Sequence, residues 1–287
     1  MPDSVGSRAT TARRDRPRVA VLRWRVVVAF RRRRDPEHPA VGLYLDLLKS
    51  TLTRIAFEDE MRDPVDAERR PRPLDLDVRE QGRDWPVHAE TMIGIHRLAQ
   101  LQDAVETVLR ERIPGDLIET GVWRGGASIF MRAVLAVYGE TRRTVWLADS
   151  FQGLPPPDPV AYPVDEGVDL SQISELAVSL ADVQENFRRY GLLDDQVRFL
   201  PGWFRDTLPP APIGRLAVLR LDGDLYESTI VALESLYPKL SPGGFAIIDD
   251  YALPTCRQAV DDFRARYDIT EPLEQVDWTG VHWRRTS

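Results

Sequence analysis

The chain has 287 residues, of which 43% are hydrophobic and 29% charged, a composition typical of a globular protein that folds in water. Its single cysteine, Cys256, excludes an intramolecular disulfide and a multi-cysteine metal site, as is typical of a reducing cytoplasm. The four histidines show no HxH or HxxxH spacing, which argues against a zinc centre. We therefore expect a cytoplasmic protein without a His- and Cys-based metal site.

Charge is distributed unevenly along the chain. The net charge is −7, but residues 1–38 contain eleven arginines against four acidic residues, so this segment is strongly basic and the remainder strongly acidic. An acidic main body argues against nucleic-acid binding. The apolar segment 19–30 is short and contains two arginines, whereas a membrane-spanning helix needs about 20 apolar residues. We predict that residues 1–40 form a basic, disordered or loosely docked extension without stable membrane insertion. The alternative is that this segment binds a membrane surface or a partner.

An N-terminal helical or lid region, 41–112, follows this extension. Apolar residues at helical spacing predict an amphipathic helix over 41–57 and a second helix over 91–111, which a Pro-Gly pair ends. Residues 58–90 are polar and rich in proline, so we predict an irregular connection there.

From residue 113 onward, strand and helix patterns alternate. The strands are short and apolar and the crossovers are long, which predicts an α/β domain over 113–287 with a parallel sheet covered by helices on both faces. A closing hairpin pair is predicted near the C-terminus. The predicted strands are 116–123, 144–151, 197–204, 216–224 and 243–251, and the predicted helices are 126–139, 176–191, 227–240 and 255–267.

The long segment 151–175 leaves the carboxyl end of the second predicted strand. Loops of this length inside a compact domain are typically lids, binding loops or disordered segments. Ligands of open α/β sheets bind at the carboxyl ends of the strands. We therefore expect this segment to border the ligand site.

Three strand ends carry features of a nucleoside site. The turn "ETGVWRGGAS", which starts at Glu119, holds three glycines without the G-x-G-x-x-G spacing, which favours a nucleoside with an amino-acid tail over a dinucleotide. Asp149 can accept hydrogen bonds from two ribose hydroxyls, and Trp203, after Gly202, can stack on an adenine. The alternatives are a plain strand-to-helix turn, a solvated carboxylate and an ordinary core aromatic.

Carboxylates end the last two parallel strands. Asp222 and Asp224 follow one strand, and the segment "FAIIDDY" ends the next on Asp249 and Asp250. Like charges held together raise one another's pKa unless a cation compensates them, and an oxygen-only ligand set favours Mg²⁺, Mn²⁺ or Ca²⁺. For both aspartates to face Asp222, the strand must end at or just before Asp249. The alternative is that one aspartate caps the following helix and another is solvated.

Long motifs of the chain closely resemble the macrocin O-methyltransferase family, whose members are metal-dependent enzymes that use S-adenosylmethionine to methylate sugar hydroxyls of macrolides and related natural products. The resemblance spans about 41–285, that is, nearly everything except the basic extension. The motifs that carry it are "YLDLLKSTLTR", "TMIGIHRLAQLQ", "ETGVWRGGASIF", "VWLADSFQGLP", "NFRRYGLLDDQVRFLPGWFRDTLP", "LAVLRLDGDLYEST" and "YPKLSPGGFAIIDDY".

This resemblance implies a class I methyltransferase fold, with seven mostly parallel strands of which the last is antiparallel. It implies S-adenosylmethionine and Mg²⁺ (or Mn²⁺) as cofactors, a small-molecule glycoside as acceptor, and a homo-oligomer, either a dimer or a tetramer. Asp222, Asp249 and Asp250 match the metal ligands, and Asp222 also matches the general base. The residues expected at the S-adenosylmethionine site are Glu119, Thr120, Gly121, Ser128, Asp149, Ser150, Gly202, Trp203 and Asp222.

Three other functions stay open on the residues alone. A catechol or other phenolic diol offers two adjacent oxygens to one metal as a sugar does, so the aspartates do not separate these acceptors. A metal-dependent hydrolase would use the same carboxylates without binding S-adenosylmethionine. A non-catalytic binding protein would need neither an intact metal site nor a nucleoside pocket.

Overall fold

The computed structural model describes residues 39–66 and 68–287. The predicted basic extension therefore lies outside the described residues except for its last two positions. Within the described ranges, no helix is both long and apolar enough to cross a bilayer.

The N-terminal region contains more regular structure than the sequence predicts. Two of its helices match the predicted ones, but residues 58–90 form a small antiparallel sheet and a short helix instead of an irregular connection. Strands of two or three residues are too short to show an alternating pattern, which explains the wrong prediction. The elements are α1 Pro39–Leu52, β1 Glu60–Arg62, β2 Arg72–Pro73, α2 Leu76–Glu80, β3 Trp85–Pro86 and α3 Gly94–Arg110.

A buried arginine holds this small sheet together. Arg79 is fully buried and donates to both carboxylate oxygens of Asp84 at 3.0 and 2.9 Å and to Asp59 Oδ2 at 3.0 Å. A buried charge is tolerated when it is paired and hydrogen-bonded, and these contacts fix the segment where it reaches the main cavity.

The main sheet has seven strands in the order β6-β5-β4-β7-β8-β10-β9. The first five are parallel to their neighbours, and β10 runs antiparallel to both β8 and β9, which confirms the predicted architecture. The strands are β4 Asp116–Thr120, β5 Val145–Asp149, β6 Val197–Pro201, β7 Leu216–Leu221, β8 Leu240–Ile248, β9 Glu274–Gln275 and β10 Val281–Arg284.

Helices cover both faces of this sheet, because successive strand residues point to opposite sides. Leu117 packs in the core on one face and Ile118 in the core on the other, and Ile247 and Ile248 divide in the same way. The covering helices after α3 are α4 Gly126–Val137, α5 Leu180–Arg189, α6 Phe204–Thr207, α7 Tyr226–Leu236 and α8 Pro254–Arg266.

The parallel strands end two or three residues earlier than their patterns predict. Strand β7 ends at Leu221 instead of 224, and β8 ends at Ile248 instead of 251. The polar residues that follow these strand ends lie outside the strands, so their side chains lie at the carboxyl edge of the sheet.

The predicted lid segment, 151–175, is tied to the body near its middle and at its end. Asp165 is fully buried, and its carboxylate accepts from the backbone N–H groups of Tyr226 at 2.7 Å and Glu227 at 3.1 Å. At the far end, Trp123 Nε1 donates to the carbonyl oxygen of Glu175 at 2.8 Å. The segment therefore lies over the start of α7, at the carboxyl edge of the sheet.

Candidate active site

A cavity of about 340 Å³ opens at the carboxyl ends of the parallel strands. Nine of the predicted site residues line it, and the turns after β4, β5, β6, β7 and β8 each contribute at least one. These lining residues are Glu119, Gly121, Asp149, Ser150, Gly202, Trp203, Asp222, Asp249 and Asp250.

The turn after β4 is pressed against the turn after β7. Gly121 has φ 82°, and a Cβ atom there would lie 1.6 Å from the carbonyl oxygen of Asp222. Only glycine fits this conformation and this approach. The two turns are therefore fixed relative to each other by backbone contact.

Glu119, at the end of β4, is buried within a hydrogen-bond network. Ser128 donates its hydroxyl to Oε2, and Arg220 Nη1 donates to Oε1 at 2.6 Å. Burial raises the pKa of Glu119 to about 7, although Arg220 and the Ser128 hydrogen bond act to lower it. Near neutral pH this carboxyl group therefore titrates between its neutral and charged forms.

Asp149, at the end of β5, is held by backbone N–H groups. Its Oδ2 accepts from Val122 at 2.8 Å and its Oδ1 accepts from Phe151 at 2.7 Å. Burial raises the pKa of Asp149, while these hydrogen bonds act to lower it. Each carboxylate oxygen can accept more than one hydrogen bond, so the group can still receive ligand hydroxyls.

Other residues predicted for this side of the cavity shape the turns. The Ser150 hydroxyl donates to the Gly153 carbonyl at 2.6 Å, and the Gly202 N–H donates to the Asp149 carbonyl at 2.9 Å. Thr120 and Ser128 are fully buried and lie outside the cavity lining.

Asp222, Asp249 and Asp250 converge on one point. A carboxylate oxygen from each lies within 4.8 Å of the others, and among the described residues these three form the acidic group arranged to hold a metal ion. The Asp249 N–H still donates to the Leu221 carbonyl at 2.9 Å, after which the chain turns. The Asp224 N–H then donates to Asp250 Oδ2 at 3.2 Å. Both adjacent aspartates therefore face Asp222, as the strand end predicts.

Two arginines that the sequence analysis missed clamp Asp249 between them. Arg220 Nη2 donates to Oδ1 and Arg97 Nη1 donates to Oδ2. Arg220 Nη1 also donates to Asp222 Oδ2 at 2.9 Å, and Arg97 Nε donates to Asp277 Oδ2 at 2.9 Å. A signal for Arg220 was present, because an arginine inside the otherwise apolar strand "LAVLRL" must be paired when it is buried. Arg97 lies on α3 and carries no comparable local signal.

These arginines do not balance all the acidic groups. Burial, followed by the charge of Asp249, raises the pKa of Asp222 to about 6. Burial and the charges of Asp222 and Asp249 raise the pKa of Asp224 to about 7, and burial with the charges of the nearby acids raises the pKa of Asp250 well above its usual value. Such a surplus of buried negative charge, offered by oxygen atoms alone, fits a hard divalent cation.

The sequence matches the family model described as macrocin-O-methyltransferase (TylF) over residues 41–285. The chain belongs to the macrocin O-methyltransferase family. One relative is the 8-demethyl-8-(2,3-dimethoxy-alpha-L-rhamnosyl)-tetracenomycin-C 4'-O-methyltransferase of Streptomyces olivaceus, 58% identical over 249 residues, 86% of this chain and 94% of the relative. The mycinamicin III 3''-O-methyltransferase of Micromonospora griseorubida is 52% identical over 250 residues, 86% of this chain and 98% of the relative.

A solved structure supports the same assignment. The O-methyltransferase NovP matches with a TM-score of 0.81 and 52% identity, covering 86% of this chain and 100% of NovP. This macrocin-family chain is therefore an O-methyltransferase, and its seven-stranded sheet is the class I methyltransferase fold that the sequence predicts.

Proposed function

We propose that this O-methyltransferase transfers the methyl group of S-adenosylmethionine to a sugar hydroxyl of a glycosylated natural product, with the help of a divalent metal ion. The observation that carries this proposal is the convergence of Asp222, Asp249 and Asp250 within 4.8 Å at one cavity with the Asp149 turn. The names of the tetracenomycin and mycinamicin relatives, which specify 4'-O and 3''-O methylation, support a glycoside acceptor.

S-adenosylmethionine is proposed to bind across the turns after β4, β5 and β6. Asp149 accepts hydrogen bonds from the ribose hydroxyls, and Trp203 offers an aromatic face to the adenine. Direct contacts are assigned to the lining residues Glu119, Gly121, Asp149, Ser150, Gly202, Trp203 and Asp222. Thr120 and Ser128 then act from behind the cavity wall, Ser128 by orienting Glu119.

Asp222, Asp249 and Asp250 would hold Mg²⁺ or Mn²⁺. When bound, such a cation orients an acceptor hydroxyl together with a neighbouring oxygen and lowers the hydroxyl pKa. Arg97 and Arg220 fix the Asp249 carboxylate, and the Asp224 N–H fixes Asp250. The positions of these metal-binding carboxylates are thus set by groups that do not themselves react.

Asp222 is proposed as the general base that removes the hydroxyl proton during in-line methyl transfer. A positioned proton acceptor contributes about 10²- to 10⁴-fold to rate. The rest of the acceleration comes from alignment, because well-oriented reactants reach effective molarities of about 10⁵–10⁸ M. The reaction needs no covalent enzyme intermediate, and the buried Cys256, a residue of α8, packs in the core with residues of α7.

The remaining assignments concern organisation and environment. We propose that residues 41–112 form a region that closes over the acceptor, that residues 113–287 form the cofactor-binding domain, and that the enzyme is a cytoplasmic dimer or tetramer. Leu43 and Leu47 on α1 are 71% and 62% exposed, and these apolar side chains support self-association. Light scattering on the full chain tests the oligomer.

Chelation and an acceptor panel test the proposed reaction. EDTA should abolish methyl transfer, and Mg²⁺ or Mn²⁺ should restore it; full activity after exhaustive chelation contradicts the metal assignment. The panel contains rhamnosyl tetracenomycin, mycinamicin III and a catechol, with product masses as the readout. Turnover of the catechol alone would replace the sugar with a phenolic acceptor, and failure to bind S-adenosylhomocysteine would contradict the methyltransferase site itself.

A further inference from the structure

A further carboxylate in the same cavity, that of Glu227, belongs neither to the metal cluster nor to the turns proposed for the cofactor. Glu227 is the second residue of α7, lines the cavity and is only 7% exposed. Its Oε1 accepts from Arg205 Nη1 at 3.0 Å. Its Oε2 is buried and has no hydrogen-bonding partner among the described residues.

An orphaned carboxylate oxygen in this position needs a partner. Leaving a buried polar group unsatisfied costs about 1–3 kcal/mol, and more for a charged group, so native proteins rarely keep one without a reason. Arg205 donates to the other oxygen, Oε1, through Nη1. A donor that arrives with a ligand in the cavity would satisfy Oε2.

The chemistry of the pair identifies the donor class. Arg205 neutralises the charge of Glu227, so the site as a whole has little attraction for a cationic amino group. Oε2 remains a strong acceptor for a neutral O–H group, because a hydrogen bond to a charged acceptor is stronger than one between neutral groups. A ligand hydroxyl fits these conditions.

The backbone places Glu227 Oε2 on the side of the metal cluster where the molecule to be methylated is proposed to bind. A Cβ atom at Gly223, which directly follows Asp222, would lie 3.1 Å from the Cβ of Ser228, so the start of α7 packs against the metal-binding turn. Asp165 of the lid segment accepts from the Glu227 N–H at 3.1 Å and fixes the backbone there. A group bound at Asp222 and covered by the lid therefore extends towards Glu227.

We propose that Glu227 Oε2 accepts a hydrogen bond from a free hydroxyl of the acceptor, one that is not the hydroxyl being methylated. Glu227 is then a specificity residue: it holds the acceptor at a second point and selects molecules that carry a hydroxyl at that position. This inference rests on the proposed function, because it requires a hydroxylated acceptor at the metal cluster.

The substitution Glu227→Gln tests this role with little change in shape. Because Arg205 holds an oxygen at the Oε1 position, the Gln amide nitrogen should take the place of Oε2 and present a donor where the wild type presents an acceptor. With the glycoside of the panel that the wild type methylates, we expect kcat/KM to fall about 10- to 100-fold. The affinity for S-adenosylhomocysteine, measured by calorimetry, should stay within twofold.

The matched control is Glu234→Gln, the same substitution on the same helix. Glu234 pairs with Arg266 at the surface, and both side chains are about half exposed, so kcat/KM should not change. Arg205→Gln is a second control: it breaks the ion pair but leaves the Glu227 oxygen in the cavity, so its loss should be smaller than that of Glu227→Gln.

A set of acceptor analogues, each lacking one hydroxyl of that glycoside, separates recognition from a structural role. One analogue should lose about the same factor with the wild type, and Glu227→Gln should then cause no further loss with that analogue. If no analogue is coupled to Glu227, or if Glu227→Gln weakens cofactor binding instead, the inference is overturned. A wild type that methylates no glycoside of the panel overturns the proposed function first, and this is a different result.

Discussion

The carboxyl ends of β4 and β5 and those of β7 and β8 line one cavity, but they hold their acidic residues in different ways. Asp149, on the first side, takes its donors from backbone N–H groups within the local turns. Asp249, on the second side, takes its donors from two arginine side chains, one on the neighbouring strand β7 and one on α3. The first side uses only backbone groups of the adjacent turns. The second side uses arginine side chains to compensate part of the negative charge of several carboxylates.

This difference fits the two tasks that we propose for the cavity. On the first side, backbone N–H groups hold one carboxylate that can still accept hydrogen bonds from neutral hydroxyls. The second side keeps several carboxylates close together and partly compensated, which is what a divalent cation requires. We expect substitutions on the two sides to have separable effects, and the predictions below test that separation.

The largest effect is expected for Asp222→Asn. Loss of the base and of a metal ligand should lower kcat by about 10³-fold or more, while S-adenosylhomocysteine still binds in calorimetry. Asp224→Asn is the matched control, since Asn tolerates the positive φ of 56° at that position and Asp224 is not in the converging triad. We expect it to retain turnover within about 10-fold. Normal turnover by Asp222→Asn would remove Asp222 from the role of base.

A large loss of stability is expected for Arg220→Met. The substitution leaves the buried Glu119 and Asp249 and the partly buried Asp222 without their shared cation, and breaking a buried charge network in this way costs about 3–5 kcal/mol. Urea unfolding measures the loss, and saturating Mg²⁺ should recover more stability in the variant than in the wild type. Arg266→Met, which breaks an exposed pair, should cost no more than about 1 kcal/mol. Equal losses for the two variants would contradict the buried network.

Stability should also depend on pH through Glu119. Its pKa is raised to about 7 in the folded protein from 4.5, so between these values the folded state binds more protons than the unfolded state. The free energy of unfolding should therefore fall as the pH rises from about 4.5 to about 7, and the contribution of Glu119 should be fully present only below that range. Urea titrations of Glu119→Gln should show a shallower fall than the wild type; an identical slope would show that Glu119 does not titrate in this range.

The smallest effect is expected for Asp149→Asn. The amide cannot accept at both positions, so S-adenosylhomocysteine binding should weaken about 10- to 100-fold while Mg²⁺ binding stays unchanged. Asp250→Asn should do the reverse, since it removes a metal ligand and leaves the β5 turn intact. If either substitution weakens both ligands equally, the two sides of the cavity are not energetically separate.

The sequence revealed the features that depend on local pattern. The carboxyl edge formed by β4, β5, β7 and β8 could be located to within three residues, because apolar runs give way to polar residues there and parallel strands bring their carboxyl ends to one edge. The convergence of Asp222 with Asp249 and Asp250 follows from that topology. The family resemblance added the roles of these residues, which pattern alone left open.

The features that the sequence did not reveal depend on contacts between distant segments. Arg97 reaches Asp249 from α3, 152 positions away, and Asp165 reaches the start of α7 from 61 positions away. Nothing in the residues around Arg97 or Asp165 distinguishes them from surface groups. Glu227 stands at the start of a predicted helix, and only its burial in the cavity wall shows an oxygen without a partner.

The contact between Gly121 and the Asp222 carbonyl also bears on how this enzyme can diversify. It holds the turn proposed for the methyl donor against the turn proposed for the base. The distance between the methyl donor and the base is therefore set by the backbone of two neighbouring strands. Acceptor choice is left to side chains and to the lid segment. Such an enzyme can change the molecule that it methylates through substitutions in the lid segment and at the start of α7, without having to realign the reacting atoms.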